Sequence, residues 1–580
     1  MIRHLTALLL AALAGTVLAA GEAPLVVHGE VVVGEKARPV AQLRLGDAAT
    51  VPVAILAPLQ DSEIEPLRKA NRKSSAKRLM IGVNRTVESM VGPKAARSAW
   101  QPVDGGHAAR FSVSSPDAAA VRLAIDLTGT PTDVEMVFLG SAGTELFGPV
   151  RVGSIVDRTG PWWSPPTEGA TQTVEVFVPA GIDPASVSMR FTRVSHLFTS
   201  AGSGFRKRAV DIGDAGSCNK DIACAINPSA AFLTARNATA QMVFNVGAGV
   251  GLCTGTLMND TDTSTQTPWF YSANHCFENE DPPYRTPTQM QVIANTLTTY
   301  WFFEAASCGS LATPPIVTRT GGATLVFNSQ PRDVLFLRLN DTPPAGATLI
   351  GFDANPFVVN ETGTDFHHPQ GDLKKFSQGS VVGFSTPFTG AVANGYTEIR
   401  WTTGTTEGGS SGSGLLAFSG SEYLLRGGLW GGSALCTNPN GTDNFSRFDL
   451  VYPQLAPYLG YVPFANFTDL WWGGESQSGW GLNLTQHASN IIFGVWYTYD
   501  AAGKRQWIVM PGGQWTSSST FTGALYITSG PPYNAPFNTA NFHITPVGTG
   551  TLTFSNANTG TFAFTVNGVS GTKSIVRQPY

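Results

Sequence analysis

Short runs in which apolar and polar residues alternate recur along most of this chain. In Ala109–Val113, Ala120–Leu127, Val134–Leu139 and Thr173–Pro179 the period is two, the pattern of a strand with one face buried. Further strand-like runs follow at Gln241–Asn245, Trp269–Ser272, Thr324–Phe327, Val334–Leu339 and Leu424–Leu429. A last series comprises Leu482–Gln486, Ile491–Tyr499, Gln506–Met510, Phe521–Ile527, Gly550–Phe554 and Thr561–Val566. In that series Tyr499-Asp500 runs into Ala501-Ala502-Gly503 and Val566 into Asn567-Gly568, both readable as hairpin turns. Leu450–Leu459 is the best helix candidate, and Trp162, Trp163, Pro165 and Pro166 mark a loop. The pattern predicts a mostly β protein.

Composition agrees and sets the scale. The chain has 580 residues, 63 of them Gly and 38 Pro, so turns are frequent and three or four domains are expected. Charged residues are 13%, against about 25% in ordinary soluble proteins. The net charge of −4 comes with no basic stripe, which argues against a nucleic-acid partner. At the N-terminus Arg3 and His4 precede an apolar run from Leu5 to Ala20 that ends in small residues. It is short for a membrane span, lacks a twin Arg, and reads as a Sec-type signal peptide over 1–20. No later stretch is apolar enough to span a bilayer, so the expected location is extracellular.

All six cysteines lie between Cys218 and Cys436. In an exported protein they are expected to form disulfides. Their spacing fits no zinc site, and six cysteines allow 15 pairings. They divide the chain into a β-rich region over 21–208, a cysteine-bearing domain over 209–461 and a C-terminal β domain over 464–580. Ser200–Ser217 reads as an exposed linker. Its Arg206-Lys207-Arg208 is either a solvated cluster or a processing site.

The candidate chemistry sits in the middle domain. Gly408-Gly409-Ser410-Ser411-Gly412-Ser413 could be a flexible linker. It could also be a tight turn that exposes the Ser411 hydroxyl while the N–H groups of Gly409 and Ser411 converge as an oxyanion hole. A nucleophilic serine needs a base. This domain has three histidines, His275, His367 and His368. His275 ends an apolar strand beside Cys276, as a loop histidine or as that base. The base needs an orienting acceptor, and Asp333 opens the strand Val334–Leu339. The order His, Asp, Ser is that of chymotrypsin.

The segments Gly216–Cys224, Ser272–Cys276, His367-His368-Pro369, Thr406–Ser413 and Asp443–Arg447 resemble the bacterial lysyl endopeptidases over about 213–460. The resemblance implies a chymotrypsin-like double β-barrel protease domain that uses no cofactor and no metal. It implies a triad of His275, Asp333 and Ser411, and the disulfides Cys218–Cys436, Cys224–Cys308 and Cys253–Cys276. It also places Asp443 at the floor of the S1 pocket, where a substrate Lys or Arg would neutralise it; by its surroundings alone Asp443 could be a solvated loop acid. Trp430 stands where the family carries a histidine, and Phe388 falls near a tryptophan that stacks on the substrate. Both reshape the S1 wall, so Lys is the expected P1 residue and Arg a second. Gly414 replaces a proline of the family pattern.

Residues 21–200 resemble the pro-regions of such proteases, here expected to form a β-sandwich. Residues 466–580 resemble a β domain common at the C-termini of secreted bacterial proteins, a barrel or sandwich. Its Trp and Tyr residues are either core or, if exposed, suited to glycan or cell-surface contact. The expected function is a secreted serine endopeptidase acting on protein or peptide substrates after basic residues. The rivals are an inactive homologue serving as an adhesin or binding module, and a protease of different P1 specificity.

Overall fold

The computed structural model describes residues 26–579, except 35–39, 47–50, 74–75, 88–98, 143–144, 156–160, 201–214, 263, 280–281, 461–462 and 488–489. The signal-peptide reading and the Arg206-Lys207-Arg208 cluster lie outside the described residues.

The N-terminal region is two sheets around one core. One sheet orders Val51–Ile55, Gly106–Ser114, Thr171–Pro179, Glu135–Gly140 and Leu146–Arg151, with Gln101–Val103 against Gly106–Ser114. Facing it are Leu79–Thr86, Arg190–Leu197 and Ala120–Asp126. Their inward side chains, including Phe111, Phe138, Val174, Leu123, Ile125 and Phe191, bury one another. Alternation predicts four of these strands. It misses the helix Asp61–Lys73, whose mostly polar sequence carries only a short apolar face, Ile64 and buried Leu67, with Pro66 beside it. Trp162–Trp163, expected in a loop, pairs with Ile125 and Ala124, and the Trp162 ring packs on Phe138 of the facing sheet.

The second of these sheets does not end at the region's border. Leu79–Thr86 pairs on its other side with Gly249–Met258, in antiparallel register from Leu79↔Leu252 to Val83↔Gly249. A single 12-stranded sheet therefore runs from the N-terminal region into the cysteine-bearing domain. Fully buried Arg122 adds a cross-link, donating to Ser164 O and to Thr296 O, each at 2.9 Å. Further upstream, Val26–Val27 pairs with Phe352–Asp353 and Glu30–Val31 with Thr348–Leu349.

The cysteine-bearing domain has two barrels. The first is an open half-barrel of Val317–Arg319, Thr298–Trp301, Thr239–Val246, Gly249–Met258, Trp269–Ser272, Val334–Leu339 and Ala323–Ser329. Met242, Phe244, Phe270, Trp301, Leu335 and Leu337 fill it. The second is a closed ring of Tyr423–Gly432, Gly414–Phe418, Thr362–His367, Lys375–Ser385, Tyr396–Thr403 and Asp443–Arg447, which pairs back to Tyr423–Gly432. The helix Phe448–Leu459 lays Phe448, Val451, Leu455 and Leu459 over the seam between barrels, against Tyr271 and Phe336.

In the C-terminal domain eight of nine strands close into a barrel, sealed by Val509↔Tyr526. Trp471 and Trp496 are core residues, whereas Trp507, Tyr497, Tyr499 and Tyr533 are exposed. Among the described residues no helix is long and apolar enough to cross a membrane.

His196 marks a weak point of the N-terminal sheet. It is buried, accepts or donates to Ser115 Oγ at 2.9 Å, and its strand pairs with Leu79–Thr86. Burial, helped by nearby Arg85, lowers its pKa from 6.5 to about 4. The unfolded chain therefore takes up this proton first as the pH falls. The stability carried by neutral His196, up to about 3 kcal/mol, is present above pH 6.5 and drains away towards pH 4. Thermal melts of the full-length Ser411→Ala chain should show this fall, and His196→Asn should flatten it.

Candidate active site

The seam between the two barrels brings together residues far apart in sequence. Trp269–Ser272 ends in a buried strand, and the chain then turns through the short helix Asn274–Phe277, which carries His275. Cys276 is tied back to Cys253 in the neighbouring strand. The other disulfides join Cys218 to Cys436 and Cys224 to Cys308, so the three pairs are those the resemblance implies. Asp333 precedes Val334–Leu339 in a left-handed conformation, φ 50°, which an aspartate tolerates better than most residues.

Both oxygens of buried Asp333 face His275: Oδ1 accepts the backbone N–H at 2.9 Å and Oδ2 lies 2.8 Å from Nδ1. On the other side of the ring, Nε2 is 2.7 Å from Ser411 Oγ. Sequence order and geometry thus give an aligned carboxylate, imidazole and hydroxyl. The other two histidines are not part of this line. His367 bridges Ser410 Oγ and Ser377 Oγ at 2.8 and 3.1 Å, and burial pushes its pKa down to about 3. His368 is buried and stacks on Phe303. Both are neutral structural groups.

The turn bearing Ser411 depends on two glycines. Gly409 has φ +94° and a Cβ there would lie 2.7 Å from His368 O. Gly412 has φ +83°, and a Cβ would come within 2.1 Å of Ser272 Oγ and 2.6 Å of Thr254 O. Thr254 pins the turn, its N–H donating to Ser411 O and its hydroxyl to Gly409 O, at 2.8 and 2.9 Å. The N–H groups of Gly409 and Ser411 then point at one acceptor.

That acceptor is a backbone carbonyl of the N-terminal region. Lys77 O receives Gly409 N–H at 2.5 Å and Ser411 N–H at 3.4 Å. Lys77 N–H donates to Trp430 O at 3.4 Å, and Ala76 bridges Gly431 in antiparallel fashion. The Lys77 side chain runs into a closed pocket. Its ammonium donates to Asp443 Oδ1 at 2.6 Å, Thr406 Oγ1 at 2.6 Å, Ala434 O at 2.8 Å and Thr406 O at 2.9 Å. The other Asp443 oxygen accepts from Trp401 Nε1 and Thr406 Oγ1, at 2.7 and 2.6 Å. Burial lowers the pKa of the Lys77 ammonium, and the Asp443 carboxylate works against that shift.

Of the residues expected around S1, Asp443 thus meets the Lys77 ammonium, and Trp430 meets the Lys77 backbone through its carbonyl. Phe388 stacks on Trp430, with ring centroids 5.3 Å apart and planes at 30°, and is edge-on to Tyr396. Sequence reasoning missed Lys77, Thr406, Trp401 and the Ala434 carbonyl. Thr406 sits in the quoted Thr406–Ser413 segment and could have been noticed. Nothing local distinguishes Lys77 from the other basic residues of its segment. Among the described residues no group of His, Cys, Asp and Glu could hold a metal ion.

A double barrel whose junction aligns a serine, an imidazole and a carboxylate defines the class of serine endopeptidases. The chain belongs to the lysyl endopeptidase family. Residues 212–446 match the family described as lysyl endopeptidase, C-terminal domain, and residues 55–198 match the lysyl endopeptidase N-terminal domain. A lysyl endopeptidase from Pseudomonas aeruginosa is 39% identical over 370 residues, covering 61% of this chain and 76% of that protein. Among solved structures, the active form of the Rv3671c protease from M. tuberculosis covers 43% of this chain and 92% of its own, at 17% identity and a TM-score of 0.28.

The turn geometry makes Gly412 a sensitive test. Gly412→Ala introduces both a strained φ and a backbone clash, so the turn must shift. Labelling of Ser411 by a fluorophosphonate should slow at least about tenfold, consistent with a loss of 1.4 kcal/mol or more, while the three disulfides still form.

Proposed function

We propose that the chain is a secreted Ser-His-Asp endopeptidase that cuts on the carboxyl side of lysine, made with an N-terminal region that is removed on maturation. The observation that carries this reading is the seat of Lys77, whose ammonium meets Asp443 while its carbonyl meets the two N–H groups of the nucleophile turn. A substrate lysine bound in the same way presents its scissile carbonyl to Ser411.

In this mechanism His275 Nε2 takes the Ser411 proton as Oγ attacks, and then gives it to the leaving amine. Asp333 holds the ring with Nδ1 protonated and favours the imidazolium that forms. The N–H groups of Gly409 and Ser411 stabilise the developing oxyanion, by about 2.7–4 kcal/mol for one such donor in comparable enzymes. Water then hydrolyses the acyl-enzyme through the same base.

The pocket favours lysine over arginine. An ammonium has three N–H donors arranged around a point, and four acceptors surround the site where Nζ sits. A planar guanidinium is longer, and no single nitrogen of it carries more than two N–H, too few for four acceptors around one point. The aromatic rim of Trp430 and Phe388 suits the apolar stem of the side chain. A glutamate at P1 would meet Asp443 and be repelled.

Three measurements test the reading. Ser411→Ala should abolish nearly all turnover and leave the fold intact; peptide hydrolysis at the wild-type rate would remove Ser411 from the mechanism. Removing one partner of a buried ion pair costs about 3–5 kcal/mol, so Asp443→Asn should lower kcat/KM for lysine substrates by roughly 10²–10⁴. A matched leucine substrate should lose far less, and equal losses would make Asp443 purely structural. N-terminal sequencing of the secreted form should give a start near Ala209, within or just after Arg206-Lys207-Arg208; a start near Gly21 would show that the N-terminal region is retained.

A further inference from the structure

The chain continues past Lys77 along a second, unassigned subsite. The Arg78 guanidinium reaches the C-terminal end of the short helix that carries His275. Its Nη1 donates to His275 O and Glu278 O, each at 2.8 Å, and approaches Cys276 O at 3.5 Å. Another carbonyl of this turn, Phe277 O, is taken by Arg285 Nη1 at 2.7 Å. Beyond Arg78, buried Leu79 pairs with Leu252 and Met80 with Gly251 in antiparallel register. Backbone pairing on both sides of the Lys77–Arg78 bond means that this segment lies across the site as a substrate does.

Given the reading of Lys77 as a P1 residue, we propose that the carbonyls of His275, Cys276 and Glu278 form an S1′ subsite for a guanidinium, so that the enzyme prefers lysyl–arginine bonds. Three features make this a built site. Helix C-terminal carbonyls carry partial negative charge and lack intrahelical partners. The Cys253–Cys276 disulfide fixes the turn that presents them. The two close acceptors, His275 O and Glu278 O, match the two N–H of one guanidinium nitrogen, so they select an extended cationic donor over a small or acidic side chain. The subsite adjoins His275, and its occupant departs with the leaving amine. The N-terminal strand fills both subsites in cis, so Ala76-Lys77-Arg78-Leu79 is itself the preferred sequence.

The test uses active enzyme collected from cells secreting the full chain, because backbone acceptors cannot be removed by substitution. Internally quenched peptides containing Ala-Lys-Xaa-Leu, with Xaa as Arg, citrulline, Ala or Glu, are compared by kcat/KM. Arg should exceed Ala by about 5- to 50-fold, citrulline should fall well below Arg, and Glu should be lowest. Equal rates for Arg and Ala would overturn the subsite, and citrulline matching Arg would overturn its electrostatic basis. An Ala-Leu-Arg-Leu peptide separates this from the primary specificity. If it is cut as fast as Ala-Lys-Arg-Leu, the lysine reading fails whatever the order at Xaa.

Discussion

A carboxylate with no exposed surface must find partners for both oxygens inside the protein, and Asp443 is such a carboxylate. Two neutral donors, Trp401 and Thr406, satisfy one oxygen. The other oxygen is met by an ammonium from a different region of the chain. Much of the arrangement follows from this demand. Lys77 must thread between the barrels to reach Asp443, which carries its carbonyl onto the nucleophile turn and sets Arg78 against the His275 helix. It also aligns Leu79–Thr86 with an open edge of the first barrel, so that the sheet of the N-terminal region and that of the protease merge.

The serine turn, the base and its acceptor come from separate elements, yet each is held by at least one bond that does not involve the other two. Thr254 holds the turn, the Cys253–Cys276 disulfide holds the histidine helix, and Asp333 N–H donates to Gln330 O at 3.1 Å. Positions set this way need little reorganisation when charge develops.

Much of the scaffold was readable from residue order. Strands such as Trp269–Ser272 and Val334–Leu339 coincide with their alternating or apolar runs, because one or both faces are buried and the chain must encode that. The serine turn was visible because two glycines are required where backbone crosses backbone. The seat of Lys77 was not visible. A lysine that enters a pocket looks in sequence like any surface lysine, and the acceptor at Ala434 is a backbone carbonyl with no residue signature. The pairing of Leu79–Thr86 with Gly249–Met258 joins residues so distant in sequence that no local pattern records it. The helix Asp61–Lys73 was hidden because its apolar face is short, Ile64 and Leu67, and Pro66 stands beside it.

The N-terminal region grips the protease on both sides of the Lys77–Arg78 bond. Upstream, Val26–Val27 and Glu30–Val31 are zipped to the second barrel and its approach; downstream, Leu79–Thr86 is zipped to the first. A cut at Lys77 would therefore not set either end free. The new amine would stay beside the acyl group at a high effective concentration, so resealing the bond would compete with attack by water. Escape then requires peeling a strand from a sheet, and the lifetime of the closed state is set by that unzipping rather than by the chemistry of the cut.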